Sequence, residues 1–319
     1  MQFGTPHLVL KMLPNKTKSN QNEILDLLKE IGEFLADNKG ASLKTFAMKS
    51  CEVKAKSPTL PFVGVQPYQF RPNGIHIDHG STYLLPSNYK DKLVCGISTG
   101  DGSCLYNSIC ILFVGKENLA LLLRLLTVLE LLEYAEYYLN QQIFCSDYAW
   151  TDAAMLNYNF EDPEIEQYPK KPYFISEVHQ MTHPTAWSPL LALYGISSVV
   201  CCPLQSLYFQ TILEGIAEKY TCLIHPRQPM CDSVLVILWT STSVRNKNDA
   251  KKFAKDKNSR PNHFVPCFLR NPEIFEENYS GSEQSENENE SVTKKQTVMI
   301  VLSSDDEIFQ VCFTALLKK

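Results

Sequence analysis

"STGDGSCLYNSICILF", residues 98–113, decides how the chain reads. Gly100 and Gly102 flank Asp101, and glycine takes the tight-turn backbone angles that other residues resist. Past the turn, Leu105, Ile109, Leu112 and Phe113 recur at helical spacing, so a helix is predicted to begin at or beside Cys104. A sulfur at a helix start meets the positive end of the helix dipole and unpaired N–H groups, which favour thiolate over thiol. Those N–H groups, that of Cys104 among them, also suit a developing oxyanion. Acyl transfer then lacks only a base, which a single nucleophilic cysteine draws from far along the chain. His263, opening the apolar run "HFVPCFL" (263–269), is the candidate.

Downstream of the turn, a longer helix is predicted over 117–139, with an apolar face wide enough to be buried. Arg124, Glu130 and Glu133 inside it exclude a membrane span. Strand-like runs follow at "ISSVVCC" (196–202), "SVLVILW" (233–239) and 263–269. Helices and β-prone runs interleave, which indicates an α/β or α+β domain opening near Leu93. Upstream, Ile24, Leu27, Leu28, Ile31, Phe34 and Leu35 lie on one face of a helix over 22–36, with Asn22 as its N-cap. Residues 57–89 are rich in Pro, Gly and aromatics without a sustained period and read as an irregular arm.

Net charge is -5 and the isoelectric point is about 5.8, so the chain has no basic footprint for nucleic acid. Apolar residues make up 44% and charged residues 20%, as in an ordinary globular protein. The first residues lack the pattern of a signal peptide. Eleven cysteines without secretory targeting suit a reducing compartment, with no disulfide framework. The expectation is an intracellular protein, cytoplasmic or nuclear, with no membrane partner. Cys222, His225 and Cys231, with Cys201 or Cys202 as a fourth ligand, are the nearest approach to a metal cluster, but no CxxC pair supports it. No metal and no cofactor are expected. His76 and His79, and likewise His179 and His183, read as loop or surface histidines.

Taken in order, "GDGSCLYNSI", "LLLRLLTVLELLEYAEYYL", "AWSPLLALYGISSVVCCPLQSLY", "VLVILWTSTS" and "NHFVPCF" resemble the OTU (ovarian tumour) family of cysteine proteases. The resemblance spans about residues 93–270 and is closest to the divergent OTU-like domains of vertnin-like and mobile-element-associated proteins. It implies an α+β, papain-like OTU fold, a small mixed sheet flanked by helices. By the same resemblance Cys104 is the nucleophile, Asp101 shapes the loop supporting the oxyanion, and His263 is the general base. The implied activity is hydrolysis of isopeptide bonds at the C-terminus of ubiquitin, with ubiquitin or its chains as partner. Ser103 stands where the family motif has Asn, and Ser188-Pro189 follows Trp187 where a Gly-Gly pair is usual. Val265 occupies the place where many members carry Asp or Asn, so the group orienting His263 stays open, with Asn262 a candidate by adjacency. The alternative is a catalytically inactive OTU-like module that binds ubiquitin or another protein.

The domain plan is an N-terminal extension over 1–92, an OTU-like domain over 93–275 and an acidic tail over 276–319. "YSGSEQSENENESVTKK" is too polar to order itself, so the tail is expected to be disordered. Within it, Val298, Ile300, Val301 and Leu302, followed by Asp305 and Asp306, resemble a SUMO-interacting motif. An apolar run of that kind adds a strand to an exposed sheet edge, and the acidic residues meet basic groups beside it.

Overall fold

The computed structural model describes residues 17–60, 75–140, 170–209, 216–270, 299–304 and 307–312. Its helices are α1 (Thr17–Asp37), α2 (Leu43–Lys56), α3 (His79–Thr82), α4 (Cys104–Val114), α5 (Ala120–Glu133), α6 (Ala135–Leu139), α7 (Lys170–Met181), α8 (Leu190–Val200), α9 (Ile216–Tyr220) and α10 (Lys247–Lys255). The strands are β1 (Leu93–Cys95), β2 (Leu204–Leu207), β3 (Leu223–Ile224), β4 (Leu235–Thr240), β5 (His263–Leu269), β6 (Met299–Ser304) and β7 (Glu307–Cys312).

A mixed sheet of five strands in the order β1-β5-β4-β2-β3 forms the centre. β2 and β4 run parallel, and the other neighbours are antiparallel. The two apolar runs predicted as strands do form β4 and β5, side by side, with Thr240 opposite His263. Trp239 is fully buried at this junction, with its ring centroid 4.5 Å from Phe264 and 5.1 Å from Tyr220. Its indole N–H donates to Ser206 Oγ at 2.7 Å, which satisfies the one polar atom that such a side chain brings into a core.

Helix α1 buries Ile24, Leu27, Leu28, Ile31 and Leu35 as its periodicity predicts, but it starts at Thr17, ahead of Asn22. Ser42 caps α2 by accepting from the Thr45 N–H. Ser50 on α2 donates to the Leu129 carbonyl of α5 at 2.7 Å, and Lys54 pairs with Glu133, so the N-terminal helices pack on α5. From Thr17 to Arg270 the described residues form one unit. The expected helix over 117–139 is broken at Tyr134, whose backbone (φ -114°, ψ 31°) separates α5 from α6. "ISSVVCC" was expected to be a strand, and it is instead the end of helix α8 and its cap. Its leading residues are buried together with the preceding "LLAL", and in an all-apolar segment periodicity does not separate a buried helix from a buried strand. No helix among the described residues is long and apolar enough to cross a membrane.

A second unit lies in residues 273–319 and is described here only by β6 and β7, which pair antiparallel in a hairpin. Ile300, Val301 and Leu302 of the expected SUMO-interacting motif lie in β6, opposite Val311, Gln310 and Phe309. Val298, Asp305 and Asp306 lie outside the described residues.

Of the charged residues in α5, Arg124 has no exposed surface. Its guanidinium donates to the carbonyls of Gly102 (2.7 Å), Ala186 (2.9 Å), Met181 (3.1 Å) and His183 (3.1 Å). It also lies 4.6 Å above the Tyr106 ring of α4. One side chain thereby ties α5 to the turn before α4 and to the connection between α7 and α8. Lysine keeps the charge but not the planar fork, so Arg124→Lys is expected to lose about 3 kcal/mol of stability in urea unfolding. A loss below about 1 kcal/mol would show that these carbonyls do not depend on the guanidinium.

Candidate active site

The turn before α4 is built by side chains rather than by glycine flexibility alone. Asp101 Oδ1 accepts from the Ser103 N–H at 2.8 Å and from Asn107 Nδ2 at 3.1 Å. Asn107 also donates to the Thr99 carbonyl at 3.1 Å, so one residue in the first turn of α4 holds both ends of the bend. Glu117 fixes the near end, accepting from the Thr99 N–H (2.7 Å) and hydroxyl (2.6 Å). Ser103 Oγ donates to the Pro184 carbonyl at 3.0 Å. Gly102 has φ +86°, and a Cβ there would come within 2.0 Å of the Thr185 carbonyl oxygen, so this position requires glycine on both counts.

Cys104 opens α4 as its sequence context predicts. Its side chain is 1% exposed, and the sulfur lies against the backbone N–H groups of Phe264 and Leu105. Burial pushes the thiol up to about 11, against the pull of those two amides and of Arg124. The helix-terminal position thus supplies hydrogen-bond donors, but desolvation wins and the thiol is protonated at neutral pH.

His263 opens β5 and is 5% exposed. Its Nε2 lies 3.3 Å from Ser98 Oγ, and its Nδ1 is buried without a hydrogen-bond partner. Burial lowers its pKa, and the Asp78 carboxylate, the Ser98 backbone and the carboxylates of Glu117 and Asp101 oppose that shift only in part. The sulfur of Cys104 and the ring of His263 share a neighbour, Phe264, but the imidazole makes no hydrogen bond to the thiol. Asn262 turns elsewhere, accepting from the Thr242 N–H at 3.0 Å and reaching Thr242 Oγ1 at 3.4 Å. It fixes the connection from β4, not the imidazole.

A cleft of about 360 Å³ opens beside the histidine, lined among others by Asp78, Ser98, Gly100, Thr242, Arg245 and His263. Asp78 is occupied at the start of α3, accepting from the Ser81 N–H (2.9 Å) and hydroxyl (2.7 Å). Asn107, Glu117, Arg124 and Ser98 are site residues that sequence reasoning missed. Of these, only the charge of Arg124 inside an apolar helix was a signal in the sequence. His179 and His183 meet edge to face at 5.6 Å beside the end of α7, and among the described residues no group of His, Cys, Asp and Glu side chains is arranged to hold a metal.

Comparison with known proteins gives the same assignment for the region around the cysteine. The family described as "Vertnin, OTU domain" matches residues 97–240, from the turn before Cys104 to the end of β4. β5 and His263 lie beyond that match. Vertnin of Bos taurus is 27% identical over 175 residues, covering 53% of this chain and 26% of that protein. Vertnin of Homo sapiens is 28% identical over 171 residues, covering 52% of this chain and 24% of that protein. The chain thus aligns with about a quarter of the length of these relatives. With a mixed sheet flanked by helices and a cysteine at the start of α4, residues 97–240 belong to a divergent OTU-like domain of the vertnin type.

Proposed function

We propose that the chain is an OTU-type thiol isopeptidase that cleaves the bond between the C-terminal glycine of ubiquitin and a lysine amine. The observation that carries this reading is the buried, unpartnered Nδ1 of His263, set one residue from the amide that holds the Cys104 sulfur. Catalysis begins with rotation of the thiol away from the Phe264 amide toward Nδ1, which takes its proton. The thiolate attacks the glycine carbonyl, and backbone N–H groups at the start of α4 receive the oxyanion. The imidazolium then protonates the departing lysine amine and leaves a thioester. Water, deprotonated by His263, attacks the thioester, ubiquitin departs, and the proton returns to the sulfur.

One observation favours a second reading, a ubiquitin-binding module without catalysis. Cys104 is closed off from solvent and its thiol is pushed up to about 11, the reverse of an activated nucleophile. On either reading the C-terminal segment supplies a SUMO contact. Among the described residues β6 pairs with β7 alone, and its other edge is suited to strand addition. We assign the protein to the interior of the cell, in the cytoplasm or the nucleus, where ubiquitin and SUMO are conjugated.

Labelling with ubiquitin that carries a C-terminal electrophile separates the two readings. The expected result is an adduct that Cys104→Ala abolishes and His263→Ala slows by about 100-fold. A folded wild type that binds ubiquitin but forms no adduct establishes the binding module. Without ubiquitin, alkylation of Cys104 followed by peptide mapping is expected to rise about tenfold per pH unit from neutrality toward about 11, as the thiolate fraction does. A plateau near neutral pH would mean a preformed thiolate–imidazolium pair and would contradict the buried thiol. Replacing Ile300 and Leu302 together by Ala is expected to weaken SUMO binding at least about tenfold in titration calorimetry, and unchanged binding would remove the motif from the proposal.

A further inference from the structure

We infer that Ser98 is the positioning residue of His263, filling with a hydroxyl the role for which the chain has no carboxylate at Val265. This inference deepens the isopeptidase reading and rests on it for its catalytic meaning, but its structural content stands apart.

Ser98 follows β1, and the Gly96 N–H donates to the Pro266 carbonyl at 2.8 Å, which lays the segment along β5. Its side chain is 5% exposed. A serine hydroxyl carries one proton, and here it is donated to the Phe264 carbonyl at 2.5 Å. That carbonyl also accepts from Ser108 Oγ of α4 at 3.1 Å, and a carbonyl donates nothing in return. What Ser98 Oγ has left for the imidazole is a lone pair. Nε2, 3.3 Å away, is therefore the nitrogen that carries the proton in the neutral ring, and Nδ1 is left bare. Nδ1 is also the ring nitrogen without a hydrogen-bond partner, as a waiting base has to be.

The other candidates fail on geometry. Asn262 bonds to Thr242, and Asp78, whose carboxylate accepts from Ser81, makes no hydrogen bond to the ring. Phe264 instead connects both reacting groups through its backbone. Its amide lies beside the Cys104 sulfur and favours the thiolate, and its carbonyl accepts from the hydroxyl that sets the imidazole. A hydroxyl fixes the tautomer and the ring plane without adding negative charge beside the ring. The imidazolium formed during turnover is accordingly less stabilised than it would be by a carboxylate.

Nitrogen-15 NMR of the histidine rings, assigned through His263→Gln, tests the inference without reference to activity. The expected result is an Nε2–H tautomer for His263 above its titration range in the wild type, and a mixture of tautomers in Ser98→Ala. An Nδ1–H tautomer in the wild type, or an unchanged Nε2–H population in Ser98→Ala, would overturn it. Ser98→Thr retains the hydroxyl and is expected to keep the wild-type tautomer, which separates loss of the bond from general damage to the site. In labelling by the ubiquitin electrophile, Ser98→Ala is expected to slow adduct formation about tenfold to 100-fold and Ser98→Thr to restore it. A wild type with the expected tautomer and no adduct refutes the isopeptidase and leaves the Ser98 bond intact. An adduct that forms at the wild-type rate in Ser98→Ala refutes the positioning role.

Discussion

A full positive charge sits in the middle of α5 with no exposed surface, and the rest of the site depends on how it is satisfied. Among the described residues Arg124 makes no ion pair. Its charge is met by backbone carbonyls from the turn before α4 and from the connection between α7 and α8. Those segments are far apart in sequence. The guanidinium draws their carbonyl dipoles to one point, because an unsatisfied charge in the core would cost far more than ordering them. Gly102 accepts one of these bonds, so the clamp also presses the turn against Thr185, where a side chain at position 102 has no room.

The same close packing that shapes the site also restrains it. Cys104, Ser98 and Ser108 all use the backbone of Phe264, and the ring of Phe264 stacks on Trp187 with centroids 5.7 Å apart. Burial favours the neutral forms of both Cys104 and His263, raising the thiol and lowering the imidazole. At neutral pH the protonated thiol reacts only slowly with solvent oxidants and alkylating agents. It becomes a nucleophile only when the sulfur leaves the Phe264 amide, so on the isopeptidase reading reactivity is tied to substrate entry rather than present at rest.

Much of the fold was legible from local patterns. The glycine-bounded turn and the spacing of Leu105, Ile109 and Leu112 placed the start of α4, and the β-rich composition of "SVLVILW" and "HFVPCFL" placed β4 and β5. "ISSVVCC" misled because it is a short run buried at most positions, where periodicity distinguishes helix from strand poorly, and β-branched residues then weighed too heavily. The pairing of β6 with β7 joins an apolar run to a second β-prone run, which composition alone did not announce.

The sequence by itself determined that Cys104 begins a helix after a tight turn and that a histidine opens a late strand. These are local facts, set by backbone angles, side-chain periodicity and hydropathy over a few neighbouring residues. Only the tertiary structure decided what each of them touches. Asn262 is adjacent to His263 in sequence, but it precedes β5 and is exposed, and its side-chain carbonyl accepts from the Thr242 N–H. Ser98 precedes the histidine by more than half the chain, and the pairing of β1 with β5 is what brings its hydroxyl to the ring. Whether a helix-terminal sulfur is ionised is decided in the same way, because the dipole and its amides act locally while desolvation is imposed by everything packed around it.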